Sequence, residues 1–263
     1  MNTITLSPWD LTGAAILVLA LAATSIRARF GVARPLLTAS VRMAVQLVLI
    51  GLVLRTLFAH AGLGWVALIA LVMVVVAGRE VTVRQGHRLT GWWGAGVGTG
   101  AMFISSFTVS GLALAVLVQP APWYDPRYAI PIMGMVLGNT MNGVALGLNH
   151  LLTAVPARRE VIEQRLMLGE TPETAMVEIK KEAAHTGMIP IINGMAAAGL
   201  VNLPGMMTGQ ILAGAEPLLA VRYQILILLL IAAASGFGLF IALWATTHRL
   251  FDERQRLRLD RLR

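Results

Sequence analysis

Cysteine is absent from this chain of 263 residues, which excludes disulfides and thiolate metal sites. Charge is scarce. Asp, Glu, Lys and Arg make up 13% of the residues, against about 25% in soluble domains. No G-x-x-x-x-G-K-[ST] phosphate loop occurs, so the chain cannot bind ATP by that route. No G-x-S-x-G, H-E-x-x-H or cluster of His and carboxylates occurs either. The sequence therefore assigns no catalytic residue, no metal ligand and no cofactor to this chain, and speaks against an enzyme. What is abundant is apolar sequence, at 57% of residues. A core able to hide that much apolar surface is implausible at this length, so lipid must be the solvent for most of it. The net charge of +8 invites a nucleic-acid reading. The cations sit instead at the ends of apolar spans, as the positive-inside rule places them, and no nucleic-acid partner is expected.

A spanning helix needs about 20 apolar residues. Seven candidates follow: 9–26, 36–57, 63–78, 92–118, 130–152, 188–215 and 223–247. Met1 to Asp10 holds no Lys or Arg, so the charged start of a signal peptide is missing, and Leu11 to Ile26 reads as a retained membrane helix. Arg27, Arg29 and Arg34 follow span one, and Arg79, Arg84 and Arg88 follow span three. Five cations follow span five, and six arginines from Arg249 to Arg263 follow span seven. The other side holds Arg55, Arg127 and Arg222. This alternation predicts an all-α polytopic membrane protein of about seven spans, N-terminus outside and C-terminus cytoplasmic. The expected setting is a plasma membrane, such as the bacterial inner membrane. The chain reads as one permease domain over 1–263, with a polar segment at 153–187 and a basic tail at 248–263. Span six, rich in Pro and Gly, is either a crossing helix broken near Asn202–Gly205 or a re-entrant hairpin. The first keeps the basic tail cytoplasmic.

The polar segment, Thr153 to Gly187, carries Glu160, Glu163, Glu170, Glu173, Glu178 and Glu182, with Arg158, Arg159, Arg165, Lys180 and Lys181. Residues 160–168 can form two helical turns. Gly169 suits a left-handed helix end, Thr171 a cap, Pro172 a first helical position and Glu173 the positive end of the next dipole. A lipid-soluble chain that keeps such a knob is expected to offer a docking surface to a partner in water, a separate ATP-hydrolysing subunit. Permeases of ABC importers carry E-A-A-x-x-x-G-x9-I-x-L-P on the cytoplasmic side. Glu163 lies six residues before Gly169 and Ile179 ten after it, while the Ala-Ala and Leu-Pro pairs are missing. The residues expected to couple to a partner are Glu163, Leu166, Gly169, Thr171, Pro172, Met176 and Ile179.

Several stretches resemble the FetB-type family of ABC permeases, described as iron exporters, with plant relatives tied to aluminium tolerance. They are Arg42–Leu47 (RMAVQL), Ile130–Met141 (IPIMGMVLGNTM), Leu168–Pro172 (LGETP), Gly199–Gly209 (GLVNLPGMMTG), Ile211–Gly214 (ILAG), Glu216-Pro217 and Tyr223–Ile225 (YQI). The resemblance implies a permease dimer driven by a separate ABC ATPase subunit, which holds the ATP, and metal export as the activity. Members carry Asp and Lys just after the proline of span six, where this chain has Asn193 and Ala196.

The spans lack a central carboxylate: Glu80 falls at the end of span three, and Asp10 and Asp125 at boundaries. Proton-coupled carriers usually need such groups, so an external energy source is the simpler expectation. The alternative is a stand-alone secondary transporter or channel for a small solute. The polar and thioether groups within the spans give a candidate substrate path: Arg42, Gln46, Met135, Asn139, Met141, Asn142, Asn193, Asn202, Pro204, Met206 and Met207. Amide carbonyls and thioethers are weak ligands, as a cation in transit requires. The same residues also serve packing and helix bridging, and Arg42 also reads as a side chain snorkelling to the interface. Glycines four apart (Gly94/Gly98, Gly96/Gly100, Gly134/Gly138, Gly143/Gly147, Gly205/Gly209) read as packing surfaces.

Overall fold

The computed structural model describes residues 7–59 and 62–263; Met1–Leu6, the start of the cation-free N-terminal stretch, lies outside the described residues. Among the described residues the α-helices are, in order, α1 (Pro8–Arg27), α2 (Ala33–Ala59), α3 (Leu63–Val83), α4 (Trp93–Leu112), α5 (Pro126–Ala157), α6 (Arg159–Met167), α7 (Pro172–Ala175), α8 (Val177–Ala197), α9 (Gly205–Leu212) and α10 (Pro217–Leu250). α4 widens into a π-helical stretch, Ala113–Val118, that ends on the left-handed residue Gln119. Three helix starts share one grammar. Asp125, Thr171 and Glu216 accept backbone N–H bonds through their side chains, each just before a proline at the first helical position. The proline has no N–H to leave unpaired, and the acceptor satisfies those that follow.

The chain forms two compact units. The first holds α1 and α2 with Leu212–Gly214. Its two helices pack on each other across a turn in which Arg29 and Gly31 both adopt positive φ. Ser25 is buried there, and its hydroxyl accepts the N–H of Val32 at 3.2 Å.

The second unit holds the remaining helices, and its directions follow from which residues meet. The Cα of Gly143 on α5 faces the Gly187 carbonyl of α8, and Gly147 faces that of Ala183, so α5 and α8 are antiparallel. Gly143 and Gly147 also face Ser235 and Leu239 of α10, so α10 runs parallel to α5. Gly134 faces Met73, and the Gly86 N–H reaches Asn149 Oδ1 at 2.9 Å, which makes α3 parallel to α5. Gly78 meets Thr99 and Gly98 meets Val81, which sets α4 against α3. A Cβ on Gly187 would lie 2.6 Å from the Gly143 carbonyl oxygen and as close to Leu239, so only glycine permits this approach. The expected pairs Gly143/Gly147 and Gly94/Gly98 do mediate packing, whereas Gly205 and Gly209 would meet nothing within 4 Å. Around the contact Met102, Val144, Leu151, Leu152, Met176, Ile179 and Leu239 form the core.

Six described helices are long and apolar enough to cross a membrane: 9–27, 33–55, 63–83, 93–118, 126–157 and 217–250. The chain is an all-α polytopic membrane protein. The seventh expected span, 188–215, is not a continuous helix. α8 starts in charged sequence and ends at Ala197, and Gly199 adopts φ +82° before α9 begins. The Ala197 carbonyl freed by the break accepts the N–H groups of both Val201 and Asn202, at 3.1 Å each. That is how broken backbone is tolerated in an apolar setting. Since α8 runs opposite to α5 and α10 runs with it, the segment between carries the chain from one end of the unit to the other. A re-entrant hairpin would have made α10 antiparallel to α5.

Gly187→Ala is expected to destabilise the unit by about 1–3 kcal/mol, the usual cost of forcing an extra carbon into packed backbone. Gly138, where an added Cβ meets nothing within 4 Å, is the control. Thermal melting followed by size-exclusion chromatography should show Gly187→Ala alone losing stability; equal melting of the two variants would reject the packing assignment.

Candidate functional site

The polar segment folds into a knob on the core. α6 ends in a full Schellman turn: Glu170 N–H bonds to the Arg165 carbonyl at 3.1 Å and Gly169 N–H to that of Leu166 at 3.0 Å, with Gly169 at φ +89°. That conformation costs a side chain dearly and glycine almost nothing. Thr171 then caps α7, its hydroxyl accepting the Thr174 N–H at 3.3 Å. Pro172, Met176 and Ile179 are buried, and Ile162 of α6 is buried beside them. Leu166 and Glu163 are half-buried, and Glu163 pairs with Arg159 at 2.8 Å. Of the residues expected to couple, Pro172, Met176 and Ile179 thus build the knob's interior, while Gly169 and Thr171 stand at its exposed tip. The tip also presents two side chains that the sequence reading did not single out, Met167 at 79% and Leu168 at 84% exposure. Their signal is in the sequence: Met167 ends α6 and Leu168 caps it, immediately before a helix-ending glycine, where no following turn covers them.

The knob is clamped to the bundle. Arg158, at the junction of α5 and α6, forms a two-pronged pair with Glu182 of α8, at 2.9 Å to each carboxylate oxygen. His150 Nε2 of α5 lies 3.3 Å from the same carboxylate. The Arg158 hydrogen bond, then that of His150, holds the Glu182 carboxyl below its ordinary pKa.

The tail folds back instead of trailing. Arg88 and Arg263 exchange backbone hydrogen bonds at 2.9 and 2.8 Å, and the Thr90 N–H reaches the Arg261 carbonyl at 2.8 Å. Leu257, Leu259 and Leu262 rest on the core, and the Arg249 guanidinium stands 5.1 Å from the Trp93 ring centre. Asp252 and Asp260 take up part of the tail's positive charge. Arg258 draws the Asp260 carboxyl down to about 2 through its side-chain hydrogen bonds. Between this folded tail and the start of α7 opens a cleft of about 520 Å³, lined by Trp93, Glu173, His248, Arg249, Asp252 and Arg261 among others.

The candidate path residues are only partly brought together. Arg42 and Gln46 are exposed on α2, in the other unit. On α5, Met135, Asn139 and Asn142 share one face (i, i+4, i+7), and Met141 is half-buried beside it. Asn139 Nδ2 donates to the Met135 carbonyl at 2.8 Å, and Asn142 Oδ1 accepts from Arg84 Nη1 at 2.8 Å. Asn193 and Asn202 are exposed, and Pro204, Met206 and Met207 half-buried. No hydrogen bond joins this second set to Asn139 or Asn142 among the described residues. Nor do three His, Asp or Glu side chains gather as for a resident metal among them.

Close small-residue contacts between long apolar helices, with a polar knob at one end, define a multi-pass membrane protein. The chain belongs to the family described as "Uncharacterised protein family (UPF0014)", whose model matches residues 8–251. It is 38% identical over 226 residues to the "UPF0014 membrane protein slr1647" of Synechocystis, covering 84% of this chain and 85% of that one. It is 37% identical to the "UPF0014 membrane protein YjkA" of Bacillus subtilis, covering 87% and 89%. It is 28% identical, over 100% of this chain and 99% of the other, to the "Probable iron export permease protein FetB" of Escherichia coli. No solved structure matches the chain.

Because the Glu182 carboxyl is held low when folded, the clamp's contribution is present above the ordinary carboxylate pKa and is lost as pH falls through the depressed value. Glu182→Gln should lower the melting temperature near neutrality and flatten its decline as pH falls through and below the ordinary carboxylate range. Melting curves of the variant that parallel the wild type across that range would show that the clamp carries no stability.

Proposed function

We propose that this chain is the membrane permease subunit of an ATP-driven ABC transporter that exports metal ions. It works as a permease dimer in the plasma membrane, with a separate ATPase subunit seated on the α6–α7 knob. The observation that carries this reading is the knob itself. A Schellman turn lifts Met167 and Leu168 into water, and exposed apolar pairs on a rigid support suit a partner's pocket. Ion pairs and carboxylates ring the tip (Arg159–Glu163, Glu170, Glu173), as in the polar rim of a docking surface.

The mechanical route is short. α5 runs without interruption from Pro126 to Ala157, and α6 follows after a single residue, Arg158. α7 leads within one residue into α8. The Arg158–Glu182 pair closes the loop, so a push on α6 or α7 moves α5 and α8 together. The cation alternation supports a cytoplasmic knob, an outer N-terminus and an inner C-terminus. Metal export as the activity is supported by the printed name of the E. coli relative and by the weak oxygen and thioether donors along the spans.

The test is capture of the partner. Affinity purification from native membranes should bring down a P-loop ATPase whose hydrolysis depends on the permease. Leu168→Asp should cut that capture by ten-fold or more while leaving the permease's melting curve unchanged. Metal movement in ATP-free vesicles, with no ATPase recovered with the wild type, would reject the reading in favour of a stand-alone transporter.

A further inference from the structure

Beside the start of α8 and the end of α10, the second unit opens a groove of about 330 Å³. Lys180 and Lys181 of α8 line it, with Phe240, Trp244 and His248 of α10 and Glu173 of α7. One wall continues as an outward stripe. Phe237, Phe240 and Trp244 recur at helical spacing on α10 and are 59%, 55% and 69% exposed. α10 is long and apolar enough to cross a membrane, so that stripe meets lipid. Trp92 and Trp93 are exposed at the same end, and Trp93 lies under Arg249, at the far end of α10 from its Pro217 start. Tryptophans collect where hydrocarbon gives way to headgroups. The groove therefore has an apolar wall in lipid and two lysines at headgroup level.

The two ammonium groups are not neutralised within the protein. Among the described residues neither lysine enters an ion pair, although Glu173 lines the same groove. Nearby cations are already engaged: Arg158 with Glu182, Arg249 on the Trp93 ring, and Arg261 on the carbonyls of Arg249 and Phe251. The His248 ring stacks on Trp244, with centres 5.9 Å apart and planes 11° from parallel, so the two form one wall. Thr247 adds an independent observation. It lines both this groove and the cleft of about 520 Å³ beside the tail, yet it is only 5% exposed. Its hydroxyl has no hydrogen-bond partner among the described residues. A buried hydroxyl left unpaired costs stability, and one beside an open groove marks a place for a ligand oxygen.

We propose that this groove binds one anionic phospholipid, with its phosphate at Lys180 and Lys181 and its acyl chains along Phe237, Phe240 and Trp244. Basic pockets between membrane helices suit such headgroups. The lysine stems lie along apolar surface while their ammonium groups reach the phosphate. His248 and Thr247 offer further donors to headgroup oxygens. A free anion would satisfy the lysines and leave the aromatic wall unused. An acidic protein surface would have to reach a wall that lipid already covers. A phospholipid matches both halves at once. Bound there, it joins the start of α8 to the end of α10 and adds to the clamp beneath the knob. The inference needs neither an ATPase nor a transported metal, so it stands apart from the permease reading.

The experiment uses the full chain, delipidated in detergent and titrated with dioleoylphosphatidylglycerol or dioleoylphosphatidylcholine, with bound lipid counted by native mass spectrometry. The wild type is expected to bind one phosphatidylglycerol about five-fold or more tighter than phosphatidylcholine. Lys180→Gln/Lys181→Gln should lose that preference. Arg254→Gln/Arg263→Gln, which removes the same charge from exposed tail positions, should keep it. If the lysine double variant melts early without lipid, Lys181→Gln, at an exposed position, decides alone, with about a two-fold or greater loss expected. An unchanged preference in the lysine variant, or an equal loss in the tail variant, overturns the site. Displacement of the lipid by inorganic phosphate overturns it in favour of a free anion. Dimers that exclude phosphatidylglycerol overturn it in favour of a second copy of the chain on the aromatic wall.

Discussion

Close backbone approach among α5, α8 and α10 is the contact on which the rest depends. In lipid, apolar side chains gain little by leaving one solvent for another like it, so helices associate by fit. Gly143, Gly147 and Gly187 remove side chains where α5 and α8 meet, and Leu239 of α10 fills the space left. That one arrangement sets the register of three helices. It puts Glu182 opposite Arg158 and His150, and it fixes the height of every polar group on α5 relative to its neighbours. Without it the knob would still form its turns, but it would be tied to the bundle only through flexible joints.

The second unit is also divided along its length. Charge and hydrogen-bonding partners gather at the end that carries the knob, the folded tail and the α3–α4 loop. The tail's backbone pairs with Arg88 and Thr90, and Arg261 reaches the carbonyls of Arg249 and Phe251 at 2.7 and 3.1 Å. A tail of six arginines would repel itself in isolation. Here Asp252 and Asp260 lie among them, and its leucines are spent on the core. The basic tail is a structural strap over the same end of the molecule where the knob sits.

Much of this was legible in the sequence, and the losses have physical reasons. Composition and length gave the membrane class and six of the spans, because an apolar run of 20 residues has few other uses. The turn at Gly169 and the cap at Thr171-Pro172 could be read because their chemistry is local. Burial could not. Met176 and Ile179 look like a docking stripe in sequence, but the face they share packs inward, and the outward apolar groups are Met167 and Leu168. Asn142 was recognised as a polar group within a span, while its partner Arg84, 58 residues away, was counted among the boundary cations.

α8 joins these observations. Its first half carries Glu178, Lys180, Lys181, Glu182 and His185, and its second half is apolar, so a single helix reaches from the knob into the membrane. A helix of 21 residues spans about 31 Å. Motion at its charged end is therefore delivered far into the bilayer unless the helix bends. It has one interior weak point, Pro190, which removes a backbone donor, and it ends in the Gly199 turn. The backbone groups freed at that turn are satisfied within the break itself, by Val201 and Asn202 on Ala197 and by Gly199 on Asn202. The segment beyond can thus change direction without baring peptide groups to lipid. The near half of α8 cannot, because Gly187 locks it to α5 and Glu182 locks it to Arg158. A displacement of the knob would be carried rigidly along the part of α8 that Glu182 and Gly187 fix, and would find its first compliance near Pro190.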